Sequence, residues 1–243
     1  MKKPFKYSFF LLFLFSCSSD LDQSIEANLL IVPDYNFSNY LIECELKEGA
    51  NLLNLESFLS ILIKDDFYND NNFEIKAYFP KTDYVDKFIF NIQNNTEDDI
   101  YNSFINDLSQ KSFDKIALCN FNTDELKGIS LFDSELTSNK LSITSEILSC
   151  NYNDGYNYGT FKLAIDKFLN HMSLLKIPYQ ISYLQADNNS IEFTWINNFY
   201  SENYTDEITE LWINTIEARE IKDEFLQNAQ CIESNLYNSF TIN

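Results

Sequence analysis

An internal repeat is the feature of this 243-residue chain that most restricts its fold. The stretch CELKEG begins at Cys44 and the stretch CNYNDG begins at Cys150, and in each a glycine comes five residues after the cysteine. The same offset of 106 (150 − 44) superposes two apolar stripes with the spacing i, i+4, i+7, i+8, which is typical of an amphipathic helix. Offsets of 105 to 108 match three further pairs of segments in apolar period: 73–79 with 179–185, 87–92 with 192–197, and 97–108 with 205–216. The sequence therefore predicts a duplicated unit.

Each copy shows the order strand, helix, strand, strand, helix, strand, which is the ferredoxin-like βαββαβ order. The predicted fold class is α+β, with two tandem ferredoxin-like βαββαβ repeats. The segment between them is rich in Ser, Thr, Asp and Glu, which is typical of a connection. The predicted division of the chain has five parts: a signal peptide at 1–16, a lipidated tether at 17–38, repeat 1 at 39–121, a linker at 122–144, and repeat 2 at 145–243.

A ferredoxin-like sheet covers one face with its helices and leaves the other face in need of a partner. Strand aromatics, such as Phe90 in the first copy and Trp195 in the second, supply an apolar face through which two copies can pack. This element order and the strand-to-helix stretch FTWINNFYSENYTDEITELW resemble the dimeric α+β barrel superfamily, which includes antibiotic-biosynthesis-monooxygenase-like proteins. The resemblance implies that the repeats pack sheet to sheet as a fused pseudo-dimeric α+β barrel.

Four cysteines besides Cys17 form two equivalent pairs under the repeat. Cys44 matches Cys150 on the first strand, and Cys119 roughly matches Cys231 on the last strand. These two strands are antiparallel neighbours in a ferredoxin-like sheet, which suits the Cα separation of about 5.5 Å in a disulfide. We therefore predict the disulfides Cys44–Cys119 and Cys150–Cys231. Four cysteines permit three connectivities, so a Cys44–Cys150 crosslink or four free thiols are the alternatives.

The first residues have the layout of a secretory signal. Lys2, Lys3 and Lys6 precede an apolar run at 9–15, which is too short for a membrane span of roughly 20 residues. The stretch LFSC, which ends at Cys17, resembles the lipobox of bacterial lipoproteins. The resemblance implies cleavage before Cys17 and acylation of that residue, so the predicted partner is the lipid bilayer and the predicted location is the outer membrane of a bacterial cell envelope. An ordinary cleaved signal peptide is the alternative.

Net charge argues against one class of partner. The formal charge is −20, and loss of residues 1–16 removes three lysines and no acid, which leaves about −23. So acidic a chain repels phosphate backbones, which bind proteins through Lys and Arg. We predict that nucleic acid is not a partner.

The sequence contains no recognisable metal or cofactor motif. His171 is the only histidine, which excludes a histidine-rich metal site and leaves no other imidazole for a haem. Its place at the end of a predicted helix favours an interaction with the helix dipole. The acidic run DDFYNDNN from Asp65 lacks the spacing of a calcium loop, and the four glycines form no phosphate-binding pattern. We predict no metal and no cofactor, and we assign no catalytic residue.

Aromatic residues are the remaining candidates for a binding site. Tyr183, Trp195 and Phe90 are predicted to line an apolar ligand cavity, where Trp195 and Tyr183 would stack on the ligand. Core packing is the alternative, because Phe90 holds in the first copy the position that Trp195 holds in the second.

Two classes of function follow from these observations. With no convergent polar triad, the sequence favours a non-catalytic envelope lipoprotein that binds a small apolar ligand or another envelope protein. The alternative is a cofactor-independent monooxygenase-like enzyme with an apolar cavity, as the superfamily resemblance implies. A cavity that contains polar groups would favour the enzyme.

Overall fold

A computed structural model describes residues 31–65, 68, 72–81, 86–96, 98–134, 143–187, 190–201 and 204–242. The strands are β1 (Phe37–Leu46), β2 (Phe73–Pro80), β3 (Lys87–Asn94), β4 (Ala117–Cys119), β5 (Leu126–Asp133), β6 (Ile143–Tyr152), β7 (Tyr179–Gln185), β8 (Glu192–Phe199) and β9 (Ala229–Thr241). The helices are α1 (Leu52–Leu62), α2 (Ile100–Gln110), α3 (Tyr158–Met172), α4 (Tyr204–Ile208) and α5 (Ile216–Asn228). A 3-10 turn lies at Phe113–Lys115 and a π-helical turn at Thr209–Ile213.

Eight of the strands close into an antiparallel barrel. Each pairs with the next in the order β1-β3-β2-β9-β6-β8-β7-β5, and β5 returns to β1. The short strand β4 pairs with the end of β1, beyond the part of β1 that pairs with β5. The predicted α+β barrel is therefore confirmed as a mixed α+β fold around an eight-stranded antiparallel barrel.

The first helix of each half begins at the same kind of corner. Asn51 caps α1 and Asn157 caps α3, and each forms a capping box with the residue three positions later. Two residues before each cap lies a glycine with positive φ, Gly49 at 86° and Gly155 at 81°. Glycine adopts this backbone region without steric cost. The CELKEG and CNYNDG stretches thus end in matching strand-to-helix turns.

Strand β5 lies inside the segment that the sequence predicts to be a linker, 122–144. It bridges the two halves of the barrel because it pairs with β1 on one side and with β7 on the other. Gly128 makes the β1 contact feasible: an added Cβ would lie 1.9 Å from Cε2 of Phe37. The burial pattern of β5 does not alternate regularly between buried and exposed residues, so composition alone mistakes this barrel strand for a connection.

The barrel separates three apolar cores. One core lies between α1, α2 and the outer faces of β1–β3, and another lies between α3, α5 and the outer faces of β7 and β8. The third is inside the barrel and consists of Phe37, Tyr78, Ile147, Leu184, Ile196 and Tyr237.

No helix within the described ranges has the length and hydrophobicity of a membrane span. The predicted signal peptide and Cys17 lie outside the described residues.

Candidate functional site

An aromatic pocket lies between the outer face of β6 and β8 and the helices of the second half. Its volume is about 190 Å³. Trp195 is 5 % exposed and projects from β8 towards α3 and the π-helical turn. Rings from three helical segments lie around it: the centroids of Phe168 and Phe225 are 5.6 and 6.0 Å from that of Trp195, and the Trp212 centroid is 5.0 Å from that of Phe168. The pocket therefore presents aromatic walls to anything that enters it.

Three hydrogen bonds connect polar side chains along this pocket. Trp195 Nε1 donates to Asn197 Oδ1 over 2.8 Å, and Asn197 Nδ2 donates to Glu146 Oε2 over 2.9 Å. On the other side, Ser234 Oγ donates to Glu146 Oε1 over 2.8 Å. Glu146 and Asn197 lie directly opposite each other on β6 and β8, so strand register fixes their contact. The site consists of one half-buried carboxylate beside an aromatic pocket.

The helix over the pocket is interrupted where it carries Trp212. The sequence predicts one helix at 205–226, whereas the structure has α4, a π-helical turn and then α5, which Thr215 caps. The Leu211 carbonyl accepts hydrogen bonds from Thr215 Oγ1 at 2.8 Å and from His171 Nε2 at 3.0 Å. Lys222 Nζ lies 4.9 Å from the Trp212 ring. Single π-helical turns occur frequently at functional sites, and this one places Trp212 on the pocket.

The predicted cavity residues separate in the structure. Trp195 lines the pocket. Tyr183 is fully buried below α3, where its hydroxyl contacts the Tyr152 hydroxyl at 2.8 Å and its ring stacks on Phe193. Phe90 lies in the core of the first half, against Phe104. The structure therefore does not bring these three residues together.

Among the described residues of the first half, nothing matches the polar relay, the chain of hydrogen bonds that joins Trp195, Asn197, Glu146 and Ser234. On β1 and β3, the facing pair in the position of Glu146 and Asn197 is Tyr40 and Ile92. Phe113 packs there against Phe90 with ring centroids 5.7 Å apart and is buried. The sequence reasoning missed Glu146, Asn197 and Ser234. Their only signal is a polar residue on the apolar, helix-facing side of each strand, and that face is known only once the register is known.

Both cysteine pairs lie at bonding distance. The Sγ atoms of Cys44 and Cys119 are 1.98 Å apart, and those of Cys150 and Cys231 are 2.02 Å apart. Within each pair the residues face each other across two antiparallel strands. The sequence pairs the same cysteines. The second pair forms part of the wall of the aromatic pocket.

A second polar region lies inside the barrel. Lys76 is 2 % exposed, and its Nζ donates to Glu74 Oε2 over 2.6 Å. Burial lowers the pKa of Lys76, but the Glu74 carboxylate, together with Tyr200 and Tyr78, more than offsets it and raises that pKa above the usual lysine value. Nearby, Asn39 Nδ2 donates to Asn91 Oδ1 at 2.6 Å, and Asn91 Nδ2 donates to the Tyr78 hydroxyl at 2.9 Å. This network ties β1, β2 and β3 together and is well placed for stability.

The arrangement around His171 does not fit a histidine-ligated haem. Its Nε2 is occupied by the Leu211 carbonyl and lies 3.2 Å from Thr215 Oγ1, in the contact between α3 and the helices after it. His171 is not among the residues that line the aromatic pocket. Within the described ranges, no group of three or more His, Cys, Asp or Glu side chains is arranged to hold a metal ion.

No protein-family model and no curated protein matches this sequence. Solved structures share its fold. A proposed monooxygenase from Fusobacterium nucleatum has a TM-score of 0.57 at 9 % identity, covering 87 % of this chain and 94 % of its own. A proposed monooxygenase from Lactobacillus acidophilus has a TM-score of 0.54 at 11 % identity, with coverage of 85 % and 95 %. Chlorite dismutase from Candidatus Nitrospira defluvii has a TM-score of 0.53 at 8 % identity, with coverage of 86 % and 93 %.

These neighbours overturn the favoured prediction from sequence. The sequence predicts a non-catalytic envelope module, but the structures that share the fold are named as enzymes. That prediction was based on the lack of a polar triad in the sequence. It failed because the residues of the polar relay are far apart in the sequence and come together only in the fold. At this identity the likeness shows the fold and not the reaction, because one fold hosts many chemistries.

Proposed function

We propose that the protein is a cofactor-independent oxygenase that acts on small planar phenols in the aromatic pocket. The observation that carries this proposal is the Glu146 carboxylate, held by Ser234 and Asn197 at the edge of a pocket with aromatic walls. An aromatic pocket with few convergent polar groups is the usual form of a site for an apolar ligand. A carboxylate within hydrogen-bond reach of a bound hydroxyl is suited to general-base catalysis.

The proposed reaction balances with oxygen as the only oxidant. With 1-naphthol as the probe, Glu146 accepts the hydroxyl proton, and the naphtholate passes one electron to O2. The radical pair joins at C4 as a C–O bond. Loss of the C4 proton and cleavage of the O–O bond then give 1,4-naphthoquinone, and the leaving oxygen takes up both the C4 proton and the proton that Glu146 held and departs as water. Asn197 and Ser234 orient the carboxylate during these steps.

We also propose that the barrel is a fused pair of ferredoxin-like βαββαβ units, of which only the second carries the site. The strand orders β2-β3-β1-β4 and β7-β8-β6-β9 support the pairing of the two units, as do the matching capping boxes and cysteine pairs. In this view β5 is an addition that closes the barrel. In the first unit Phe113 packs against Phe88 and Phe90, which supports the proposal that only the second unit carries a site.

Oxygen uptake tests the proposed activity. Purified protein with 1-naphthol is expected to consume one O2 for each 1,4-naphthoquinone formed, as read by an oxygen electrode and by absorbance. The matched probe 1-methoxynaphthalene has the same rings and no acidic proton, so it should give no uptake. Uptake no faster than with heat-denatured protein would contradict the proposal.

We propose further that the protein is attached to the bacterial outer membrane through acylated Cys17. Labelled palmitate is expected to enter the wild-type protein and to be absent from the Cys17→Ala variant. Mature wild-type protein should remain with the membrane fraction, because two or more acyl chains anchor a protein stably. Equal labelling of the two proteins would rule out this attachment. Cys119→Ala serves as the cysteine control, since it leaves the lipobox-like stretch unchanged.

A further inference from the structure

Strand β9 contains a bulge between Cys231 and Ser234. Cys231 pairs with Cys150, and the next pair along the two strands is Glu233 with Ser149, so Ile232 has no partner on β6. Ile232 is 65 % exposed. One extra residue in a strand moves the side chains that follow it to the opposite face of the sheet. Bulges next to active sites redirect side chains in this way.

The bulge determines the environment of Glu146. Cys231 points to the helix-covered face of the sheet, as its disulfide to Cys150 and its place on the pocket wall require. With regular alternation, residue 233 would share that face and Ser234 would point into the barrel. Because Ile232 is extra, Ser234 faces outward instead and reaches Glu146 Oε1 at 2.8 Å. The hydrogen bond to the carboxylate therefore depends on the bulge.

The Cys150–Cys231 disulfide fixes the pairing at one end of this bulge. Cys150 is 2 % exposed and Cys231 is exposed, so an external thiolate reaches the Cys231 sulfur first. The first half offers a contrast. There the β1–β4 register ends at Cys119, after which Asn120 N donates to the Glu43 carbonyl of β1, so the Cys44–Cys119 disulfide precedes no bulged strand.

We propose that the redox state of Cys150–Cys231 controls the register of β9 and, through it, the position of the Glu146 carboxylate. This inference rests on the proposed function of the aromatic pocket. A dithiol is the reductant: its thiolate attacks Cys231 Sγ, Cys150 leaves as a thiolate that takes up a proton, and the second thiol of the reagent releases Cys231. The reagent ends as a cyclic disulfide, and two protein thiols remain. In the reduced protein β9 slips to regular pairing, and Ser234 leaves Glu146.

The two disulfides provide a matched test. They close loops of 75 and 81 residues, so the chain-entropy contributions of the two crosslinks are nearly equal. In the Cys44→Ser/Cys119→Ser variant, activity on 1-naphthol is expected to stay within twofold of wild type and to fall at least tenfold with dithiothreitol. Oxidised glutathione should restore it. The Cys150→Ser/Cys231→Ser variant should be at least tenfold less active at the start and should not respond to dithiothreitol.

Ser234 gives a test that keeps both disulfides. Ser234→Ala is expected to lower the rate severalfold and to shift its pH profile, and Ser234→Thr should recover most of the rate. Similar losses from the two cysteine variants, or no loss from either, would overturn the inference. If no form oxidises 1-naphthol, the proposed function fails, and hydrogen exchange of the amides at 232–236 decides the inference. At least tenfold faster exchange after reduction of Cys150–Cys231 supports it, and unchanged exchange overturns it.

Discussion

Replacing Glu146 with glutamine is expected to lower the rate of 1,4-naphthoquinone formation by about 100-fold or more. The amide keeps the size of the side chain, its oxygen accepts from Asn197 and its NH2 donates to the Ser234 hydroxyl, but it cannot accept the hydroxyl proton of the substrate. General-base catalysis contributes about 10²–10⁴-fold to the rate. Initial rates at saturating 1-naphthol measure the effect. The loss should appear in kcat, because the aromatic walls that bind the rings are unchanged.

Glu220→Gln is the matched control for this prediction, because it makes the same change in charge on the exposed face of α5. Its rate should equal that of the wild type. If Glu146→Gln oxidises 1-naphthol within threefold of the wild-type rate, Glu146 is not the proton acceptor. Quenching of Trp195 fluorescence by 1-naphthol should persist in Glu146→Gln, which separates a loss of chemistry from a loss of binding.

Replacing Glu74 with glutamine is expected to destabilise the fold by about 3–5 kcal/mol, the usual cost of leaving a buried charge without its partner. Lys76 is almost fully buried inside the barrel, whereas the Glu74 side chain is 29 % exposed, so the lysine bears most of the penalty. Urea unfolding followed by tryptophan fluorescence measures the change. The exposed Glu45→Gln on β1 is the control and should change stability by no more than about 0.5 kcal/mol.

The change of stability with pH should also differ between Glu74→Gln and the wild type. In the wild type the pKa of Lys76 is raised above its unfolded value, so its contribution is complete below that value and is lost only as pH rises through the folded pKa. Without the Glu74 carboxylate, burial is the largest remaining cause and lowers the pKa of Lys76. The unfolded chain then binds more protons, so the stability of the variant should rise with pH, by up to about 1.4 kcal/mol per unit.

Comparison of the two unfolding series between pH 6 and pH 9 tests this sign. The Lys76→Met/Glu74→Gln double variant removes both charges and should recover most of the stability, with no added pH dependence. A Glu74→Gln protein that loses less than about 1 kcal/mol, or whose stability is as flat with pH as the wild type, would show that Lys76 does not depend on Glu74.

Local patterns predicted the elements that repeat along the chain. Apolar period and turn glycines indicated the strands and first helices of each half, and the resemblance to the dimeric α+β barrel superfamily implied the barrel. β5 was missed because a strand of mostly half-buried residues, without regular alternation, looks like a polar connection. The need for a glycine at position 128 becomes apparent only in the structure, where a Cβ would overlap the Phe37 ring. Closure of the barrel is thus a tertiary property with little local signature.

The candidate site was harder to predict than the fold for a related reason. Trp195 was identified as a strand aromatic of the second copy, but its partners depend on strand register. Glu146 and Asn197 are 51 residues apart, and Ser234 joins them only through the bulge at Ile232. An unpaired residue in a strand leaves no pattern in the sequence. A polar relay assembled in this way therefore resembles ordinary surface polarity until the pairing is known.

Oxygen-isotope labelling tests the central claim most directly. Protein turning over 1-naphthol under ¹⁸O2 in ordinary water, with rapid extraction and mass spectrometry, is predicted to give 1,4-naphthoquinone that carries a single ¹⁸O atom. The Glu146→Gln variant should give almost none of this product. Unlabelled quinone under ¹⁸O2, or labelled quinone formed in H2¹⁸O under ordinary oxygen, would show that the new oxygen comes from water and would contradict oxygenation in the aromatic pocket.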